Sequence, residues 1–130
     1  MTVINPGGGG GSVTLNTAQT FTNKRITSRV VTVTQSATPA INTDNTDVAS
    51  IVSLAQAITS MTTSLTGTPV DGDGLLIRLT DNGIARAITW GASFEASTVA
   101  LPTTTIASAM LCVEFIWNTV TAKWRCVGVA

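Results

Sequence analysis

Leu75-Leu76-Ile77-Arg78-Leu79-Thr80-Asp81-Asn82-Gly83-Ile84-Ala85-Arg86-Ala87-Ile88-Thr89-Trp90 carries the clearest structural signal in the chain. Two runs of alternating apolar residues flank Asn-Gly, the dipeptide that best tolerates the positive φ angles of a two-residue hairpin turn. A type I′ turn at Asn82-Gly83 pairs Leu79 with Arg86, Ile77 with Ile88 and Leu75 with Trp90. One face is then apolar, and Leu76, Arg78, Thr80, Ala85, Ala87 and Thr89 occupy the other. A three-residue turn would set Arg78 against Arg86, and like charges directly opposite one another repel. The sequence therefore predicts a β-hairpin in the first register.

Working outward, Val30-Val31-Thr32-Val33-Thr34 reads as a strand, and the turn formers Pro39, Asn42, Asp44, Asn45 and Asp47 follow it. Between Val48 and Leu65 the apolar positions fit a 3.6-residue period, but Thr59, Ser60, Thr62, Thr63 and Ser64 compete for backbone hydrogen bonds. The reading is a turn or short helix at 48–54 and a strand near 57–65. Gly67 to Gly74 is a run of turns. Met110 to Trp117 and Ala122 to Val129 form a last pair of strands around Asn118-Thr119-Val120-Thr121. Seven or eight short strands separated by turns predict an all-β fold, an antiparallel β-sandwich or jelly-roll.

Composition agrees. The 130 residues are 44% hydrophobic but only 11% charged, and threonine is the commonest residue type, so strands are favoured over helices. Length alone indicates one domain. With no His and no Tyr, a His-based triad is impossible within the chain and the commonest nitrogen ligand for metals is missing. Seven basic and seven acidic side chains cancel, which leaves no broad electrostatic footprint for nucleic acid. No apolar run approaches the roughly 20 residues needed to span a bilayer, and Met1 to Gly11 lacks the regions of an export signal. The expectation is a protein made in the cytoplasm, without membrane insertion.

The chain divides into a Gly-rich arm (1–20), a basic neck (21–29) and the β domain (30–130). Five consecutive glycines, Gly7 to Gly11, cannot hold a helix or strand, so this stretch is either a linker or an attachment arm. In the second case Met1, Val3 and Ile4, with Asn5 and Pro6, dock on a partner and become ordered there. The neck holds Phe21, Lys24, Arg25, Ile26 and Arg29, with three of the basic residues close together. Such a cluster is either a solvated face or the place where identical chains meet and contact an acidic partner. The last strand runs to Ala130, which directs attachment to the N-terminus or the surface.

Candidate chemistry is thin. Asp71-Gly72-Asp73-Gly74 opens like a calcium loop but lacks the distal bidentate Glu, and a plain turn is the preferred reading; Asp44 and Asp47 likewise suit Asx turns. Glu95 and Glu114 are the only glutamates, and nothing in their spacing sets them across a sugar as a glycosidase requires. Glu114 lies in an apolar run, with Arg125 or Lys123 as its expected partner. Cys112 and Cys126 share a parity that could place them on one face; buried free thiols are favoured over a disulfide. Trp90, Trp117 and Trp124 are candidate glycan or subunit contacts, with the core as their commoner use. No catalytic residue, cofactor or metal site is expected, and the chain reads as non-enzymatic.

Thr22-Asn23-Lys24-Arg25-Ile26, Gly67-Thr68-Pro69-Val70, Leu76 to Trp90, Ala100-Leu101-Pro102-Thr103-Thr104-Thr105 and Phe115 to Trp124 together resemble the small β modules of tailed-bacteriophage virion surface proteins. The resemblance covers about residues 20–130. It implies a non-enzymatic, trimeric domain displayed on the virion, of the tail-fibre C-terminal, head-fibre or capsid-decoration type. Its partners would be further copies of itself, capsid or tail proteins bound through the arm, and, in a rival reading, a glycan receptor on the host surface.

Overall fold

In the computed structural model, which describes residue 18, residues 22–23 and residues 25–130, the alternating run at Leu75 is a strand with one buried face. The described residues hold eight strands and no helix: β1 (Val30–Val33), β2 (Ile41–Asn42), β3 (Val48–Leu54), β4 (Leu65–Thr66), β5 (Gly74–Asp81), β6 (Phe94–Glu95), β7 (Met110–Asn118) and β8 (Lys123–Val129). Six form one sheet in the order β1-β3-β5-β7-β8-β6, and β2 pairs with β4 in a second, two-stranded ladder. The domain is all-β, as composition predicts. Its main sheet is mixed rather than antiparallel, because β1-β3, β3-β5 and β6-β8 are parallel pairs.

Parallel neighbours need a crossover between them, and here strands and loops make it instead of helices. The chain climbs in rungs. Val33, Ile51 and Leu79 stack on one side, and Ile41 lies beside Leu65 on another. A third side is closed by Thr59 N donating to Ala37 O (2.8 Å), Ile58 N to Ala87 O (2.9 Å) and Thr89 N to Ile58 O (2.9 Å). Residues 30–90 thus wind like a short solenoid in which each rung hydrogen-bonds the next. Antiparallel strands β7 and β8 then extend the sheet beyond β5.

The inner faces of β3, β5, β7 and β8 meet the rung loops in one core. Ala49, Ile51, Ile77, Leu79, Val113 and Phe115 are fully enclosed there. Trp90, Phe94 and Phe115 meet as a three-ring cluster, with centroids 4.9–5.2 Å apart and inclined planes. Each such side chain contributes about 1.5–3 kcal/mol by leaving water.

Three sequence expectations are corrected. Asn82-Gly83 does turn the chain, but no hairpin follows: β5 pairs with β7, setting Leu79 opposite Leu111, Ile77 opposite Val113 and Leu75 opposite Phe115. A type I′ turn needs positive φ at both central residues, and only Gly83 (φ 97°) has it. The cause is Asp81, 5% exposed, whose carboxylate accepts hydrogen bonds from Gly83 N (2.9 Å), Ser108 N (3.0 Å) and Thr105 Oγ1 (2.6 Å). This Asx turn steers residues 84–90 out of the sheet plane. The alternation survives, since Ile88 and Trp90 are still buried, but against the rungs.

Residues 48–54 form a strand, not a turn or helix. Enclosed between two parallel partners, β3 buries Val48, Ala49 and Ile51 together, and such a strand loses the clean alternation that would betray it. Residues 57–65 are mostly turns. Ile58 and Met61 are single buried anchors, while Ser60 Oγ accepts from Thr62 N (3.2 Å) and Thr63 N (3.0 Å).

Candidate functional site

Among the described residues of the neck, Arg29 is fastened to the domain by its side chain. Arg29 donates from Nη2 to Asp47 Oδ1 (2.6 Å), from Nε and its backbone N to Asp47 Oδ2 (3.1 and 2.7 Å), and from Nη1 to Asp44 O (2.6 Å). In return Asp47 N and Val48 N donate to Arg29 O (3.0 and 3.1 Å). These side-chain and backbone bonds from Arg29 hold the Asp47 carboxylate down at about 2, from an ordinary 3.8, and the pair raises the Arg29 guanidinium in turn. Arg29 is therefore committed to its own domain, while Arg25 and Ile26 ahead of it are exposed, Ile26 to 97%. Met1, Val3, Ile4, Asn5, Pro6, Phe21 and Lys24, assigned to the arm and neck, lie outside the described residues.

Beside the clamp is a cleft. Arg29, Thr43, Asp44, Asp47, Asp73, Gly74 and Trp124 line a cavity of about 210 Å³. A second, of about 140 Å³, shares Thr43 and Trp124 with it and adds Thr66, Gly67, Ser93 and Trp117. The ends of β2, β4 and β7, the start of β5 and the turn before β6 all converge here. Gly67 (φ 119°) permits the tight approach, because a Cβ there would overlap Thr43 Oγ1. Trp117 is half-buried, edge-on to the buried Trp124 with centroids 5.4 Å apart. The flanking carboxylates also hold loops: Asp44 Oδ1 accepts from Thr68 N (2.7 Å) and Oγ1 (3.1 Å), Asp73 Oδ2 from Val70 N (2.9 Å), and Asp71 Oδ1 from Thr119 N (3.0 Å). With a cation, carboxylates, hydroxyls and an indole edge, the cleft can hydrogen-bond a hydroxylated ligand. Asp47, being so acidic, is a poor general base at neutral pH.

The remaining candidates are dispersed. Trp90 belongs to the core, with Nε1 donating to Pro102 O (2.7 Å), and does not reach the cleft with Trp117 and Trp124. Arg125 pairs with Glu95 (3.3 Å) rather than with Glu114, because β6 lies alongside β8 and sets Glu95 opposite Arg125. Burial pushes the Glu95 carboxyl up, but hydrogen bonds from Thr121, Asn118 and Arg125 outweigh it and lower its pKa. Glu114 is exposed and has no ion pair among the described residues.

The cysteines are both free, and they do not share a face. Phe115 stands opposite Cys126 in the core, so the inward positions are odd-numbered on β7 and, on β8, Trp124 and Cys126, beyond which a bulge shifts the register and sets Gly128 opposite the outward Glu114. Cys112 consequently faces outward, opposite Arg78. Burial raises the pKa of the Cys126 thiol. Among the described residues no three His, Cys, Asp or Glu side chains are grouped to hold a metal ion, and no helix is long and apolar enough to cross a membrane.

No protein-family model, curated protein or solved structure matches this chain. The loops of the cleft were legible only as turns. Thr43 and Ser93 carry no sequence signal of their own, since their place depends on the β2-β4 ladder and on β6, each only two residues per strand.

Proposed function

We propose that this chain is a non-enzymatic structural protein of a tailed-phage virion, a trimeric decoration or short-fibre protein attached through its N-terminal arm. In this reading the all-β domain is sandwich- or jelly-roll-like and is displayed outward, with capsid or tail proteins as partners. The supporting observation is the junction between neck and domain. An exposed neck carrying the solvent-facing Ile26 ends abruptly at Arg29, which is fastened to Asp47 and the backbone of Asp44. A segment so exposed on one side of a fixed anchor suits contact with something other than its own domain. Particles stripped of the protein provide the test. The full chain should rebind them, and a variant lacking residues 1–20 should lose binding while its near-UV circular dichroism is unchanged. Undiminished rebinding by the truncated variant defeats the proposal.

The cleft favours a second reading, a receptor- or glycan-binding tail-tip module. Trp117 and Ser93 line one cavity, and Asp44 and Asp73 line the other, which shares Thr43 and Trp124 with it; together they offer an aromatic ring and groups able to hydrogen-bond sugar hydroxyls. Under this reading, glycan-array binding is lost in both Asp44→Ala and Trp117→Ala variants and survives deletion of the arm.

A further inference from the structure

We infer that the outer face of the six-stranded sheet, centred on Arg78 and Glu114, is the surface through which copies of this chain bind one another. The inference rests on the trimeric reading above and names its interface.

One face of the sheet is sealed by the core; on the other, Val30, Thr32 and Glu114 are exposed, Ser50, Leu76, Arg78 and Cys112 are partly exposed and Val48 is buried. Along that outer face Val30, Val48, Leu76, Glu114 and Gly128 stand in one row across five strands. The next row is Thr32, Ser50, Arg78 and Cys112. Most of these side chains are small, so the face is low in relief and neighbouring copies can approach it closely. At its margins Val30 is 55% exposed, Met110 51% and Ile116 42%.

Two opposite charges stand in the middle of this face without satisfying each other. Arg78 opposes Cys112 and Glu114 opposes Leu76, so the two are diagonal neighbours on β5 and β7. Nevertheless they form no ion pair, and the Glu114 carboxylate lies toward β8, with Oε2 3.5 Å from where a Cβ on Gly128 would stand. Arg78 is half-buried, and its Nε is screened from solvent with no hydrogen-bond partner among the described residues. A screened polar group without a partner is costly, and Glu114, the diagonal carboxylate on β7, does not supply one.

The occupant that fits is a second copy, because one patch carries both halves of the pairing. Arg78 of each copy meets Glu114 of the next, and the same contact repeats around a closed ring. Enclosure by the apolar margin strengthens the pair, and the exposed valine, methionine and isoleucine are covered by the same event. An unrelated acidic or basic partner would satisfy only one of the two charges.

Sedimentation velocity on the full chain at micromolar concentration tests this, with folding checked by circular dichroism. The wild type should sediment as an oligomer, and Arg78→Glu and Glu114→Arg should each weaken association by about 100-fold. The double variant carrying both changes should regain most of it. Should Arg78→Glu misfold, Met110→Glu, at a position already half-exposed, must dissociate the oligomer instead. Single variants that sediment like the wild type overturn the inference and leave the trimer standing. Dissociation without recovery in the double variant overturns the pairing, and a monomeric wild type removes the trimer and the interface together.

Discussion

Ala122 has φ 52°, a left-handed conformation in which its Cβ crowds the following carbonyl, and it closes the loop between β7 and β8. Glycine carries no such penalty, although it has more freedom to lose on folding. Ala122→Gly should therefore stabilise the protein by about 0.5–1 kcal/mol, read as a higher Tm in calorimetry; a lower Tm would show that the loop is unstrained. Asp47 makes a pH-dependent prediction. With its carboxyl held at about 2 against an ordinary 3.8, the unfolded chain takes up the proton first as pH falls. The clamp's stabilisation is thus fully present above pH 3.8 and is lost as pH drops toward 2. Asp47→Asn should flatten the fall of Tm in this window, and salt should weaken the wild-type effect because the pair is half-exposed, at 52% and 36%. Asp81, lowered chiefly by the Thr105 hydroxyl and the Ser108 amide, keeps some acid sensitivity in that variant. An unchanged Tm profile between pH 4 and 2 would remove Asp47 from the account.

At the scale of elements, β7 is the strand on which the sheet depends. It joins the rungs on β5 to β8, and its inward residues Leu111, Val113 and Phe115 are all buried. Phe115 touches both other rings of the aromatic cluster, so Phe115→Ala should cost about 3–5 kcal/mol, measured by urea titration. A loss below about 1 kcal/mol would mean that the core closes over the gap. The ladder of alternating residues in β5, β7 and β8 was legible in the sequence because each has one wet face and one dry face. Strand β3 was not, because a strand between parallel partners hides its period. Asn82-Gly83 misled for a different reason: the dipeptide promised a hairpin, but Asp81 immediately before it supplies a buried carboxylate that binds Thr105 and Ser108, residues too distant in sequence for local reading to join. The cleft was half legible. Asp71, Asp73, Trp117 and Trp124 drew attention as residue types, whereas Thr43 and Ser93 enter only through pairings two residues long.

For the molecule as a whole, the Arg29 clamp has a mechanical meaning. If the particle holds the chain by its arm and solvent flow or a host surface pulls on the domain, the load enters at Arg29. Strand β1 begins one residue later and runs parallel to β3, so tension along the neck loads the β1–β3 hydrogen bonds side by side, in shear, rather than opening them one at a time. The ion pair to Asp47 stands ahead of those bonds and bears load first. Pulling single molecules through the N-terminus should show a lower first rupture force for Arg29→Ala than for the wild type, with later events unchanged; equal forces would place the first yield point elsewhere. The pair that fixes where the neck joins the domain is also the first to feel a pull on the chain ahead of it.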